Sequence, residues 1–504
     1  MSKTPHGLSK YDALVRECTN GQAGLEPLPQ VFGRISQHNP VSGTSPDGTP
    51  FDAKKVIHAF THALDKMKDD SDPQGNAEAG MTFFGQFIDH DITLDATSSI
   101  GKRIDPRTIR NVRTPTLDLD CVYGDGLEAS GTMYHPDHEG FLLFGNKENP
   151  LDLARNSHGT AMIGDFRNDE NGIISQIQGA FICLHNICMS GAMGDAEMSS
   201  VFEGVRSKAM QDHMVPAAKH YEAARRAVRL HYQWLVVNDF LPSFVDAKVL
   251  EKVHHKLKHG ELPAPFNVHS PVMPIEFSGA AYRFGHATVQ NEYSINDEVG
   301  KVGLFDEPFR GFGPRRADHT VEFKRLFDFP GNYKFDKARP IGRNLPGSIF
   351  DLPFIKEGLE IDGVELDITE AKKLPHRNVF RDRFALELAS GQQVARQMGV
   401  DEIAAPDELT SKGITKTPLW YYCLHEAENF GGKLGPVGGT IVATTILRLL
   451  YLDSESVLCS AHDFKPWKSL GAGAKGEYSM GRMLEFVEKN RDNIDHKTDL
   501  YQPN

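Results

Sequence analysis

The sequence predicts a mainly α fold, long helices joined by long irregular loops, and three observations carry that reading. Apolar residues recur at helical spacing in separate runs. Met81, Phe84, Ile88 and Ile92 form one stripe, and Ile174, Ile177, Phe181, Leu184 and Cys188 a second. Between 220 and 240, Ala224, Ala227, Val228, His231 and Leu235 share a side, and Leu241-Pro242 is expected to stop that helix because proline lacks the amide it needs. Segments 101–160 and 260–370 are instead punctuated by Pro, Gly and Asp around short apolar runs such as GFLLFG, so strand or loop is expected there. No fixed-period repeat, low-complexity tract or heptad run interrupts the pattern.

Residues 1–50, rich in Gly, Pro, Ser and Asn, read as an irregular arm, and 51–504 as a single domain, since no clear linker divides them. Of the 504 residues, 39% are hydrophobic and 24% charged, ample for a core and unlike a disordered or membrane chain. The net charge of -13 offers no broad attraction to a phosphate backbone, so nucleic acid is not expected as a partner. The six cysteines form no Cys-x-x-Cys pair and read as mostly free thiols. No stretch reaches the roughly 18 apolar residues of a membrane span, and the N-terminus lacks a signal-peptide h-region. The expectation is a cytoplasmic location by default, or export by a route the sequence does not reveal; the oligomeric state is not readable.

The segment from Met81 to Ile92 sets Gln86, Asp89 and His90 at i, i+3 and i+4, so three polar groups converge on one helical face. Phe84, Phe87 and Ile88 are expected to surround them, so that the polar face borders a buried cavity, where unpaired polar groups are costly. The plainer reading, a hydrogen-bonded cluster inside a core, carries about equal weight on spacing alone. Asp91 points about 100° away from His90 and must serve another partner.

A second cluster, GDFRNDE, places Arg167 and Glu170 three apart at the start of the next helical run. A surface Arg–carboxylate pair would explain it, although the macrodipole favours acids rather than Arg there. In AYRFGHATVQ, His286 follows Gly285, which removes a side chain where a flat cofactor could approach; a lone His is otherwise more often a satisfied core residue. In TPTLDLDCVYG, oxygen donors alternate as a hard cation prefers, without EF-hand spacing, so Asp-capped turns are the alternative. GGKLGPVGG lacks the Gly-Lys-Ser/Thr ending of a phosphate loop and reads as a helix entrance, and His425-Glu426 lacks the second His of a zinc protease.

Taken in order, FFGQFIDHD, TPTLDLDCVYG, GDFRNDE and YRFGH resemble the animal-type heme peroxidases of the peroxidase-cyclooxygenase superfamily, most nearly their compact bacterial members. The resemblance runs from about residue 75 to 460 and includes HYQWLVVNDFLP, RNVFRDRFALELASGQQVAR and TPLWYYCLHEAENFGGKLGPVGG. It implies a helical domain around one heme b, with Ca²⁺ beside the helix that carries His90. It further implies an enzyme that reduces hydrogen peroxide through an oxoferryl intermediate, oxidises small anionic or phenolic donors, and serves in the response to oxidative stress.

Carried over by position, His90 matches the distal acid-base histidine, Arg167 the distal arginine and Gln86 the distal glutamine. His286 matches the proximal ligand of the heme iron and Asn378 its hydrogen-bond partner, while Arg283 and Arg381 match residues near the heme propionates. Asp89 and Glu170 match carboxylates that form ester bonds to heme methyl groups in mammalian members. Asn171 stands where members with a third, sulfonium link carry Met, which favours iodide, bromide and thiocyanate over chloride. Asp91, Thr114, Thr116, Asp118 and Asp120 match the Ca²⁺ ligands, with Asp120 replacing the usual Ser.

The main rival is a heme-dependent fatty-acid dioxygenase of the same superfamily, which uses a radical Tyr three residues before the proximal His. Here that position is Arg283, and Tyr282 is expected on a different side of its helix. A non-catalytic member that has lost heme is disfavoured, because no matched catalytic position is replaced.

Overall fold

The computed structural model describes residues 30–36, 53–94, 110–111, 116–146, 148–202, 216–267, 271–459 and 463–494. Helices dominate, as the periodicity predicts. The helix Ala79–Ile92 carries His90, and Gly172–Ile187 follows Glu170. Further helices are Pro216–Leu235, Ala247–Lys258, Leu419–Ala427 and Pro436–Leu452. Strands among the described residues are two to five residues long and pair locally, Glu292–Asn296 with Gly300–Gly303 for example. Most of the 1–50 arm lies outside the described residues; from it, Gln30–Val31 pairs antiparallel with Arg110–Asn111.

The helices meet through aromatic side chains. Phe87 stacks on Phe181 at 4.9 Å, and Tyr232 stands edge-on to both, at 6.0 and 5.6 Å, so the Ala79, Gly172 and Pro216 helices share one contact. Rings this buried contribute about 1.5–3 kcal/mol each by area alone. Gly85 lets the His90 helix approach Phe240, because a Cβ there would lie 2.8 Å from the ring. The helix Gly172–Ile187, extended to Ala192, is apolar and long enough to cross a membrane, yet 94% of its apolar window is buried inside the protein, which is the signature of a core helix.

One local expectation is corrected. Leu241-Pro242 does not stop the third helix: Pro216–Leu235 runs into a π turn, Val236–Phe240, and then one more turn, Leu241–Phe244. The wider turn absorbs the missing proline amide, with Pro242 placed in the first turn of the last segment where no such donor is needed. GGKLGPVGG is a helix entrance as read, and its cap comes from another helix: the Glu426 carboxylate accepts the amides of Val437 and Gly438 at 3.0 and 3.1 Å. Cys121, Cys183, Cys188 and Cys423 are buried free thiols, and Cys459 is free and half-buried.

Candidate active site

A cavity of about 1390 Å³ is lined by Gln86, Asp89, His90, Arg167, Glu170, Arg283 and His286. Residues as far apart in sequence as Gln86 and His286 thus face one space. That volume exceeds the roughly 300–1,000 Å³ of a pocket for one drug-sized ligand, so it has room for a large cofactor and a small substrate together. Phe84, Phe87 and Ile88 do not border it and are buried in the interhelical core, while Met81, Thr82, Phe83 and Gly85 of the same helix join Phe240, Phe244 and Phe284 in the wall.

His90 is buried, with Nδ1 2.7 Å from Asn168 Oδ1. Burial, helped by the Arg167 charge, pushes its imidazole down to about 4, so the ring is neutral and able to take a proton at neutral pH. Arg167 lies near the start of its own helical run, yet it serves the end of another. Its Nη2 donates to the carbonyls of Thr93 and His90 at 2.6 and 3.1 Å, at the C-terminus of the His90 helix, where a cation is favoured. Asp165, fully buried, accepts from Arg167 Nη2 and Nε at 2.7 and 3.1 Å and locks the guanidinium in place.

Gln86 donates to Glu170 and accepts from Asn171 Nδ2 at 3.2 Å. Asn171 also caps the next helix, accepting from the Ile173 and Ile174 amides, so its side chain is engaged at the helix start. Burial raises the Glu170 carboxyl to about 7. Asp89 accepts from Thr93 Oγ1 at 2.9 Å.

His286 sits on a 3-10 turn, Ala281–Ala287, rather than an α-helix, so Arg283, three residues back, eclipses it and lines the same cavity. Burial and the charges of Arg283 and Arg381 push the imidazole down to about 3. Asn378 Nδ2 is 2.9 Å from His286 Nδ1, while Asn378 Oδ1 is buried without a hydrogen bond. Turning the amide by 180° satisfies Oδ1 with the ring Nδ1–H and leaves Nε2 bare, the state an iron ligand needs. A Cβ on Gly285 would meet nothing within 4 Å, consistent with open cavity beside His286. Arg381 does not line the cavity.

Tyr282, expected elsewhere, does border the cavity, and its hydroxyl donates to the Gly85 carbonyl at 3.0 Å. The cavity mouth adds residues that no motif marked: exposed Phe305, Phe312 and Phe354, with the basic Arg310, Arg316 and Lys356. Phe312 has φ 57°, rare for a bulky residue, and is held there by its amide on the Asp169 carbonyl at 2.7 Å.

Behind the His90 helix, Asp91, Asp118 and Asp120 bring carboxylate oxygens within 4.8 Å of one another, all fully buried. Burial and the charges of Asp120 and Asp118 hold the Asp91 carboxyl well above its ordinary range, and Asp91 Oδ1 has no hydrogen-bond partner. Leu119, at φ 62°, takes a left-handed conformation that turns its two aspartate neighbours toward Asp91. Thr116 Oγ1 donates to Asp118 at 2.7 Å, and Thr114 lies outside the described residues. This donor set fits a hard divalent cation.

Residues 95–309 match the animal haem peroxidase family. Chorion peroxidase of Drosophila melanogaster is 32% identical over 247 residues, and the chain spans 28% of that relative's length and 45% of its own. Peroxidase A from Dictyostelium discoideum shares the fold at TM-score 0.56 and 13% identity, over 94% of each chain. A fatty acid alpha-dioxygenase of Arabidopsis thaliana does so at TM-score 0.54 and 14% identity, over 99% of this chain and 84% of that one. Residues 95–309 are thus similar to an animal haem peroxidase domain, and the chain shares the helix-rich fold of these two solved structures.

Proposed function

We propose that this protein is a heme peroxidase that reduces hydrogen peroxide and oxidises iodide, bromide, thiocyanate or small aromatic donors. One observation carries the reading: neutral His90 and fixed Arg167 share a single cavity with His286, itself backed by the Asn378 amide. His286 would hold heme b, with Arg283 beside it, and the bound heme would supply the redox chemistry toward peroxide. His90 Nε2 accepts the proton of H₂O₂ and returns it to the departing oxygen. Arg167 stabilises the peroxide anion without needing to move, because Asp165 already fixes it. Gln86, anchored by Glu170 and Asn171, orients water or a halide beside them.

The exposed Phe305, Phe312 and Phe354 at the mouth support aromatic donors, since rings there can stack on an incoming phenol. Asp91, Asp118 and Asp120 would hold Ca²⁺, which would offset their charge and tie the His90 helix to the following loop. The fatty-acid dioxygenase reading retains one supporting observation, Tyr282 on the cavity wall; against it, the hydroxyl is held on a carbonyl and Arg283 occupies the radical position. The test is purified protein supplied with heme. A Soret band and H₂O₂-dependent oxidation of iodide, bromide or a phenol are expected, with no oxygen uptake on linoleate; the reverse pattern selects the dioxygenase.

A further inference from the structure

The hydrogen bonds behind His90 do not end at Asn168. Asn168 Nδ2 donates to Gln178 Oε1 at 2.8 Å, and Gln178 Nε2 donates to the main-chain carbonyl of Cys121 at 3.1 Å. Both amide side chains are fully buried. A carbonyl can only accept, so it fixes the polarity of everything upstream. With the Cys121 carbonyl at the end of the line, Gln178 must present its NH₂ there and its oxygen to Asn168. Asn168 must then present its NH₂ to Gln178 and its oxygen to His90. Reversing either amide would set oxygen against oxygen, or NH₂ against NH₂, in a site without exposure to water.

We propose that Asn168 and Gln178 form a positioning relay that holds His90 as its Nδ1–H tautomer, leaving the Nε2 lone pair for the cavity. Neither residue touches the substrate. Their role is to ensure that the ring nitrogen not engaged by Asn168 meets peroxide as an acceptor. The relay crosses from the 3-10 turn Phe166–Asp169 to the helix Gly172–Ile187 and ends on the turn Asp120–Tyr123. That last carbonyl also accepts the Gly164 amide at 2.9 Å, and a Cβ on Gly164 would lie 2.1 Å from the Asp120 carbonyl. Close packing at a glycine therefore fixes the anchor.

The inference rests on His90 as the peroxide base, but its test does not require turnover. Full chain labelled with ¹⁵N-histidine, with and without diamagnetic zinc protoporphyrin, reports which ring nitrogen of His90 carries hydrogen. Wild type is expected to show Nδ1–H. Asn168→Leu and Gln178→Leu are expected to give mixed tautomers, although Gln178 does not touch His90. In heme-loaded protein, Gln178→Leu should slow the reaction with H₂O₂ by about 10–100-fold while leaving the iodide KM unchanged. Wild type carrying Nε2–H, or a Gln178→Leu protein with an unaltered tautomer, overturns the relay. Heme-loaded wild type inert toward peroxide but carrying Nδ1–H would defeat the peroxidase reading and leave the relay standing.

Discussion

Arg167 closes the C-terminus of the helix that carries His90, donating from one nitrogen to the His90 and Thr93 carbonyls while Asp165 grips the same guanidinium. Position and stability are therefore coupled in this residue. Arg167→Ala leaves the buried Asp165 carboxylate without its ion-pair partner, and a loss of up to about 3–5 kcal/mol is expected in urea unfolding. Arg167→Lys keeps the charge but not the fork, so it should recover part of the stability and little of the peroxide reactivity. Equal stability of the Ala variant and wild type would refute the cap.

His286→Ala should abolish stable heme binding, whereas His90→Ala should retain heme and slow its reaction with H₂O₂ by about 10²–10⁴-fold. The asymmetry follows from ligation on one side and proton transfer on the other. Stopped-flow spectra of His90→Ala with unchanged kinetics would remove His90 from the proton-transfer role.

Asp89 and Glu170 both line the cavity, each with an oxygen already oriented, by Thr93 and Gln86. Each is expected to trap a heme methyl group as an ester during peroxide turnover. Each link removes two electrons and a proton from the methyl group, and one H₂O₂ is reduced to water. Heme should resist acid-butanone extraction only after H₂O₂ treatment, and Asp89→Asn with Glu170→Gln should keep it extractable. Heme fully extractable from wild type after turnover would reduce both carboxylates to wall residues.

Calcium removal should lower the melting temperature, because three buried carboxylates then face one another with no cation between them. Stability should rise again with added Ca²⁺ as the ratio of ligand to its dissociation constant grows. Asp120→Ala should lose this dependence. Identical melting of chelated and Ca²⁺-saturated protein would sink the site.

Glu170 gives a pH signature. Its carboxyl rises from an ordinary 4.5 to about 7 on folding, so the folded state holds the proton more tightly. The stabilisation is fully present below about pH 4.5 and is lost as pH rises through about 7. In the heme-free chain the loss is up to about 3 kcal/mol, less where water reaches the partly exposed side chain. Urea midpoints compared at pH 5 and pH 8 should show this component in wild type and not in Glu170→Gln; an unchanged pH dependence in the variant would assign the effect elsewhere.

The sequence by itself determined the helices and the faces they offer. Spacing of three and four placed Gln86, Asp89 and His90 on one side and turned Asp91 to another, because a helix fixes side-chain direction locally. The ordered motifs supplied the resemblance to animal-type heme peroxidases, and with it Arg167, Glu170 and His286 as candidate site residues. Tertiary structure decided which distant atoms meet. That Arg167 caps the helix of His90, that Asn168 and Gln178 back the His90 ring, and that the Asn171 amide reaches Gln86 depend on how the Gly172 helix packs on the Ala79 helix. Pro242 stayed within a helix because a π turn before it changed the local hydrogen-bond register, and Leu119 took a left-handed conformation that propensity disfavours. Both outcomes run against local preference, and each is held by buried contacts between segments that no short stretch of sequence contains.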